Sequence, residues 1–387
     1  MSIDKNLVLK AMESVLPNPA SLHEPSFIGN EWKYVKECID SGWVSSAGGY
    51  VEKFEEQLTS ICESKYVIAT VTGTAALHAA LALAGVESEN EVLCPNLTFV
   101  ASANAIVQLG ATPHFIDCQN STLSIDPLKL EEHLSFSAKV EQNKCYNIKT
   151  GRKISALICV HTFGHPAELD QIFDVCEKYS LVLIEDAAEA LGSRYKTRHV
   201  GSHGKLSVIS FNGNKTVTTG GGGAILTNDE DLAKLARHIT TTAKLPHPWE
   251  YRHDMPAYNY RMPNINAALG CAQLENLPLF LINKRNLAEA YNNAFKSVNG
   301  LKFFTEPKFA ESNYWLNTLI LDQENAEEKD SILNSINEKK FSSRPAWTPM
   351  HKLPMFENCP RMDVSESENL YARIINLPSS AHLWEAP

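Results

Sequence analysis

Lys215 sits in the segment Ser210-Phe-Asn-Gly-Asn-Lys-Thr-Val-Thr-Thr-Gly220, between a β-like run at 208–211 and the hydroxyl-rich glycine cluster Thr218-Thr-Gly-Gly-Gly-Gly223. An isolated lysine beside a turn is an ordinary surface residue. A lysine that is partly desolvated, next to glycines that let backbone approach a bulky group, is a nucleophilic amine able to form a Schiff base with a carbonyl. A second segment bears on the choice. In Ile184-Glu-Asp-Ala-Ala-Glu-Ala190 the carboxylates follow directly on an apolar strand. An acid at the C-terminal end of a parallel strand faces the crevice where α/β proteins bind ligands. Taken alone, Asp186 reads equally well as a helix cap.

Lysine and acid together fit one cofactor, pyridoxal phosphate. Its pyridine nitrogen must stay protonated for it to act as an electron sink, and a buried carboxylate such as Asp186 raises the pKa of that nitrogen. Its phosphate needs N–H groups and hydroxyls at a helix start. Gly73 and Thr74 would supply them in Thr72-Gly-Thr-Ala-Ala-Leu-His-Ala-Ala-Leu81, an Ala/Leu-rich stretch of high helix propensity. A plain N-cap has the same geometry.

The elements that must position these groups are legible as short apolar runs alternating with helical patterns. Val51, Phe54, Leu58 and Ile61 recur at helical spacing before a β-branched run at 66–70. Strand-like runs at 91–94, 154–160, 181–184, 206–211 and 223–226 alternate with helical patterns near 99–109, near 169–179, from Glu230 and from Asn264. The alternation predicts an α/β fold whose central sheet is mostly parallel and covered by helices on both faces. From about Leu301 the character changes: runs at 302–304 and 314–321 read as strands and 326–337 as a helix, giving a smaller C-terminal α+β domain. The expected organisation is an N-terminal extension at 1–24, a large domain at 25–280 and a small domain at 281–387. A loop from Ile239-Thr-Thr-Thr-Ala-Lys244 through Pro246, Pro248, Pro256 and Pro263 is long enough to carry function.

At 387 residues, 44% hydrophobic and 21% charged, the chain is large enough for more than one core. A formal charge of -10 argues against a nucleic-acid partner. The N-terminus has no basic stretch leading into an apolar one, and the longest apolar run, near 74–86, is too short to span a bilayer. These features predict a cytoplasmic protein that does not engage membranes. The nine cysteines form no CxxC pair and read as reduced thiols, with no metal site expected.

Five motifs in order resemble the DegT/DnrJ/StrS family of sugar aminotransferases, over roughly residues 25–383. They are Thr72-Gly-Thr-Ala-Ala-Leu77, Pro95-Asn-Leu-Thr-Phe-Val-Ala101, Ile184-Glu-Asp-Ala-Ala188, Ser210-Phe211 with Lys215 and Thr219-Gly220, and Tyr258-Asn-Tyr-Arg-Met262 followed by Ala267-Ala268 and Gln273-Leu274. The resemblance implies the fold-type-I architecture of pyridoxal-phosphate enzymes. It places Gly73, Thr74 and Ser210 at the phosphate, Phe99 on the pyridine face, Asp186 at the ring nitrogen and Lys215 in covalent linkage to the cofactor. It also implies a homodimer in which Asn259 reaches the phosphate held by the neighbouring subunit. The implied reaction takes nitrogen from L-glutamate, releases 2-oxoglutarate, and passes through pyridoxamine phosphate to a nucleotide-linked keto sugar.

Three positions depart from the common family pattern. Glu189 stands where Gln or His is frequent, Asn214 precedes the lysine where His is often seen, and His161-Thr-Phe-Gly-His-Pro166 replaces His-Leu-Tyr-Gly-Gln-Pro. Glu189 and Asn214 are expected beside the cofactor, facing the substrate side. The Phe-Asn-Gly-Asn-Lys segment and the long start before Glu24-Pro-Ser-Phe27 resemble the branch that aminates C4 of UDP-linked 4-keto-6-deoxy-N-acetylhexosamines on the way to nonulosonic acids of bacterial surface glycans. Trp43, His161, Arg261 and His351 are candidate substrate contacts. Each also has a plain structural reading: packing for the tryptophan, an ion pair for the arginine, a satisfied polar group for each histidine. Competing functions are a keto-cyclitol aminotransferase, a deoxysugar dehydratase of the same superfamily and a regulator. The dehydratases carry His at the lysine position, so Lys215 argues against them.

Overall fold

The computed structural model describes residues 3–384; the first two and last three residues of the expected terminal spans lie outside the described residues. The main path of the large sheet has seven strands: β1 Tyr66–Thr70, β2 Glu91–Pro95, β3 Thr112–Ile116, β4 Lys153–Val160, β5 Val182–Asp186, β6 Leu206–Ser210 and β7 Gly223–Thr227. Their order is β1-β7-β6-β5-β4-β2-β3. Neighbours from β6 to β3 run parallel, whereas β7 is antiparallel to both β1 and β6. A hairpin of Ala138–Glu141 and Lys144–Asn147 extends the sheet beside the start of β4.

Every residue of β2 and β7 is buried, as is all of β4 after its first lysine. Such continuous burial is what a sheet covered on both faces requires. Adjacent residues of β6 enter opposite cores. Val208 packs with Ile68, Leu77 and Ile184 on one face, and Ile209 packs with Phe54, Leu58 and Leu226 on the other. The helix Gly73–Leu83 starts on Thr72, whose Oγ1 accepts from the Ala75 N–H at 3.0 Å, and six alanines and leucines of its first nine residues are buried.

The C-terminal region forms a four-stranded antiparallel sheet, ordered Leu301–Phe303, Asn317–Leu321, Ile374–Leu377, Arg344–Pro345, with the helix Lys329–Glu338. The strand expected at 314–321 starts only at Asn317, because 312–316 is a strap bonded to the large domain. Ser312 Oγ donates to Gly164 O, Asn313 N to Ser193 Oγ and Leu316 N to Phe163 O.

Two of the expected boundaries are corrected. Residue 280 lies inside the continuous helix Leu277–Phe295. That helix begins in the large-domain core through Leu277 and ends in the C-terminal core through Leu287, Tyr291 and Phe295. Residues 1–24 are not an extension: Val8 and Met12 of the helix Lys5–Val15 are buried against those same residues. An amphipathic helix at one terminus buries its apolar stripe wherever the chain offers a complementary face, and sequence distance does not reveal which. All nine cysteines are free thiols. Among the described residues no single helix is long and apolar enough to cross a membrane.

Candidate active site

A cavity of about 320 Å³ opens at the C-terminal ends of β4, β5 and β6, against the start of the helix Gly73–Leu83. It is the crevice a parallel sheet offers to ligands. Gly73, Thr74, Phe99, Asp186, Glu189, Ser210, Asn214 and Lys215 all line it. Residues up to 142 positions apart in the chain thus share one wall because the strands carrying them lie side by side.

At one end the cavity is shaped for an anion. The first turn of the helix presents N–H groups that have no partner within the helix, and the macrodipole adds positive potential there. Glycine is a steric requirement: a Cβ on Gly73 would lie 2.7 Å from Ser210 Cβ, and one on Gly223 would lie 2.5 Å from the Thr72 carbonyl oxygen. The chain approaches itself this closely to bring Gly73, Thr74 and the Ser210 hydroxyl around one spot.

Deeper in, Asp186 is buried at the end of β5. Its Oδ2 accepts from Ser102 Oγ at 3.0 Å and its Oδ1 from the Ala188 N–H at 3.2 Å. Burial pushes its carboxyl above the ordinary range, and those two hydrogen bonds and the charge of Lys215 oppose the shift without cancelling it. A carboxylate in this state gains from a cationic partner such as a pyridinium N–H.

Lys215 Nζ lies 3.4 Å from Glu189 Oε1 and 3.8 Å from the centre of the Trp315 ring. The other Glu189 oxygen accepts from the Phe163 N–H at 2.9 Å. Phe163 adopts positive φ (56°), which turns its N–H toward the glutamate. Burial raises the Glu189 carboxyl to about 7, although Lys215 and the Phe163 N–H pull it down. The Glu189 carboxyl therefore gains or loses its proton near neutral pH. Trp315 Nε1 donates to the Asn214 carbonyl at 2.7 Å, so Asn214 contributes through its main chain.

The structure does not bring four of the expected substrate residues to this cavity. His161 is fully buried: its Nε2 donates to Glu185 Oε2 at 3.1 Å while its Nδ1 accepts from the Ala167 N–H, which makes it a satisfied core histidine. His351 is spent between Asn96 Oδ1 (2.9 Å) and Glu368 Oε1 (2.7 Å). Arg261 bridges β1 at Thr70. Trp43 is 59% exposed and lines a separate shallow groove with Tyr50 and Asn264. Asn259 is exposed on the loop after the helix Glu230–Thr240, bridged to Thr241.

Sequence reasoning missed Ser102, Trp315 and Trp347, which also line the cavity. Ser102 had a local signal, lying one residue past the quoted motif that ends at Ala101. The tryptophans come from the far end of the chain and had none.

The fit of these residues to pyridoxal phosphate rests on the glycine-walled anion site, the buried acid with raised pKa and the lysine in one cavity. Fold and site together define a fold-type-I pyridoxal-phosphate aminotransferase. Residues 25–387 match the DegT/DnrJ/EryC1/StrS aminotransferase family, and the chain belongs to that family of sugar aminotransferases. It is 38% identical to a GDP-perosamine synthase of Escherichia coli O157:H7 over 360 residues, 92% of each chain. It is 37% identical to EpsN of Bacillus subtilis, a putative pyridoxal phosphate-dependent aminotransferase, over 94% of this chain and 92% of that one. Among solved structures it is similar to Helicobacter pylori PseC, an aminotransferase involved in the biosynthesis of pseudoaminic acid (TM-score 0.85, 26% identity, 95% of each chain).

Proposed function

We propose that the protein moves an amino group from L-glutamate to C4 of a nucleotide-linked 4-keto-6-deoxy sugar, yielding 2-oxoglutarate and the amino sugar. The observation that carries this reading is the shared cavity of Lys215, Glu189 and Asp186 with its glycine-walled anion site. Pyridoxal phosphate, when bound, supplies the electron sink for the donor's carbanion and carries the nitrogen as pyridoxamine phosphate between the two halves of the reaction. Gly73, Thr74 and Ser210 would hold its phosphate, and Asp186 would keep the ring nitrogen protonated.

The chain's own groups do the rest. Lys215 would hold the cofactor covalently, and its Nζ, once free, would act as the base that takes the proton from the donor's α-carbon and as the acid that gives it back. Glu189, whose carboxyl burial raises to about 7, lies 3.4 Å from that nitrogen and is placed to exchange a proton with it. Trp315 and Trp347 line the cavity from the C-terminal region and give it apolar faces.

Two substrates compete. The similarity of 34–38% to three GDP-perosamine synthases favours a GDP-linked sugar. The segment around Lys215 favours the UDP-linked N-acetylhexosamine, a reading that the likeness to PseC supports. We weigh the GDP-linked sugar first, because those relatives match over more than 90% of both chains. The protein also forms a homodimer in this proposal. Trp32, Trp43, Trp249 and Tyr251 are 59–83% exposed, and exposed aromatic side chains of this size suit an association surface. Purified enzyme with L-glutamate and a panel of GDP-, UDP- and dTDP-linked 3- and 4-keto sugars, read by mass spectrometry, tests the assignment. Amination of the GDP-linked 4-keto sugar is the expected result, and inactivity on the whole panel removes the proposal.

A further inference from the structure

Lys284, in the third turn of the helix Leu277–Phe295, has no solvent exposure. A lysine is almost never buried this completely unless its donors are met. Three acceptors meet them: His23 Nε2 at 3.1 Å, Trp315 O at 3.3 Å and Ser379 O. They come from three distant stretches, the N-terminal segment, the strap before Asn317–Leu321 and the turn after Ile374–Leu377. An ammonium has three N–H groups, whereas a neutral amine has two and would leave one of the acceptors without a proton. Burial brings the ammonium down to about 7, so the charged form is the one present below neutral pH. Burial first, then the charges of Lys284 and Lys215, push His23 well below the ordinary imidazole range, which leaves its ring neutral and its Nε2 lone pair free to accept.

What Lys284 holds matters more than how it is held. The Trp315 it anchors by the carbonyl is the residue whose indole N–H bonds Asn214 O and whose ring face lies 3.8 Å from Lys215 Nζ. The amide of Trp315 is fixed as well, donating to Asn313 Oδ1 at 2.8 Å. We propose that Lys284 is a positioning residue for the amination: it pins the Trp315 main chain so that the indole face stays over the Lys215 nitrogen and stabilises positive charge there. The proposal rests on Lys215 being the cofactor-linked lysine.

The test titrates the visible absorbance band of the lysine-linked cofactor in wild type and in Lys284→Met. Appearance of the band in wild type checks the cofactor reading by itself, so failure of that reading is seen separately. The other groups facing Lys215, namely Glu189, Asp186 and His23, are the same in both proteins. A cation over an indole face is stabilised enough that losing the alignment should lower the titration midpoint by about half to one pH unit. Trp315→Leu should shift it in the same direction, and the double variant should shift no further than Trp315→Leu alone, because Lys284 acts through the indole. An unchanged midpoint in a Lys284→Met protein that melts cooperatively, or shifts that add fully in the double variant, overturns the proposal. If Lys284→Met does not fold, His23→Leu removes one acceptor and should give a smaller shift of the same sign; no shift in that variant overturns the proposal equally.

Discussion

The cofactor cradle and the loop at 244–261 stand at opposite extremes of the same domain. The cradle is set on strand ends and a helix start, its lysine is 13% exposed, and its acid is seated by Ser102 and Ala188. The loop carries only the two-residue strands Lys244–Leu245 and Arg252–His253, with Trp249 80% and Tyr251 83% exposed between them. The difference separates chemistry from choice. Proton transfer at a nitrogen needs groups held within a few tenths of an ångström, which packed elements provide. Recognition of a particular sugar and nucleotide can be carried on loops, where change costs little stability.

Breaking the cradle should have the largest effect. Lys215→Ala is expected to lower turnover by at least about 10³-fold, since nucleophile and proton carrier are lost together. Comparable turnover in the variant, measured by 2-oxoglutarate release, would place the chemistry elsewhere.

An intermediate effect concerns stability rather than rate. The folded-state pKa of Glu189 is raised to about 7, so the folded protein holds a proton that the unfolded chain releases near 4.5. Its contribution is fully present below about pH 4.5 and is lost as pH rises through 7. Cofactor-free wild type should therefore lose up to about 3 kcal/mol over that window relative to Glu189→Gln. Parallel stability curves in urea at the two pH values would show that Glu189 does not hold this proton.

The smallest effect on folding should come from the loop. Replacing Trp249 and Tyr251 by alanine is expected to change the stability of the folded chain by less than about 0.5 kcal/mol, because exposed side chains lose little on truncation. If this surface belongs to a homodimer, sedimentation should nonetheless move toward monomer. A drop in chain stability with unchanged sedimentation would erase the contrast between the two regions.

Much of the cradle was readable because its chemistry is written in short segments. Gly73 and Thr74 open a helix that an Ala-rich pattern announces, Asp186 ends an apolar run, and Lys215 precedes glycines that the close approach to Thr72 explains. The expected substrate contacts fared worse. His161 and His351 are residue types that do chemistry, but each is saturated by partners such as Glu185 and Glu368 that no local pattern links to them. Trp315 reaches the cavity because the strap at 312–316 bonds to Gly164 and Ser193, contacts more than a hundred residues apart in the chain, and Trp347 packs there against Phe99 and Phe163.

The sequence by itself determined the alternating elements, the mostly parallel sheet and the candidacy of Lys215 as the reactive lysine, because hydrophobic period, glycine placement and motif spacing are local properties. Tertiary structure alone decided which terminal helix completes the C-terminal core, which tryptophans line the cavity and why Lys284 can be buried. Those outcomes depend on which distant surfaces and acceptors meet, and a buried charge is tolerated only where folding delivers all its partners to one point.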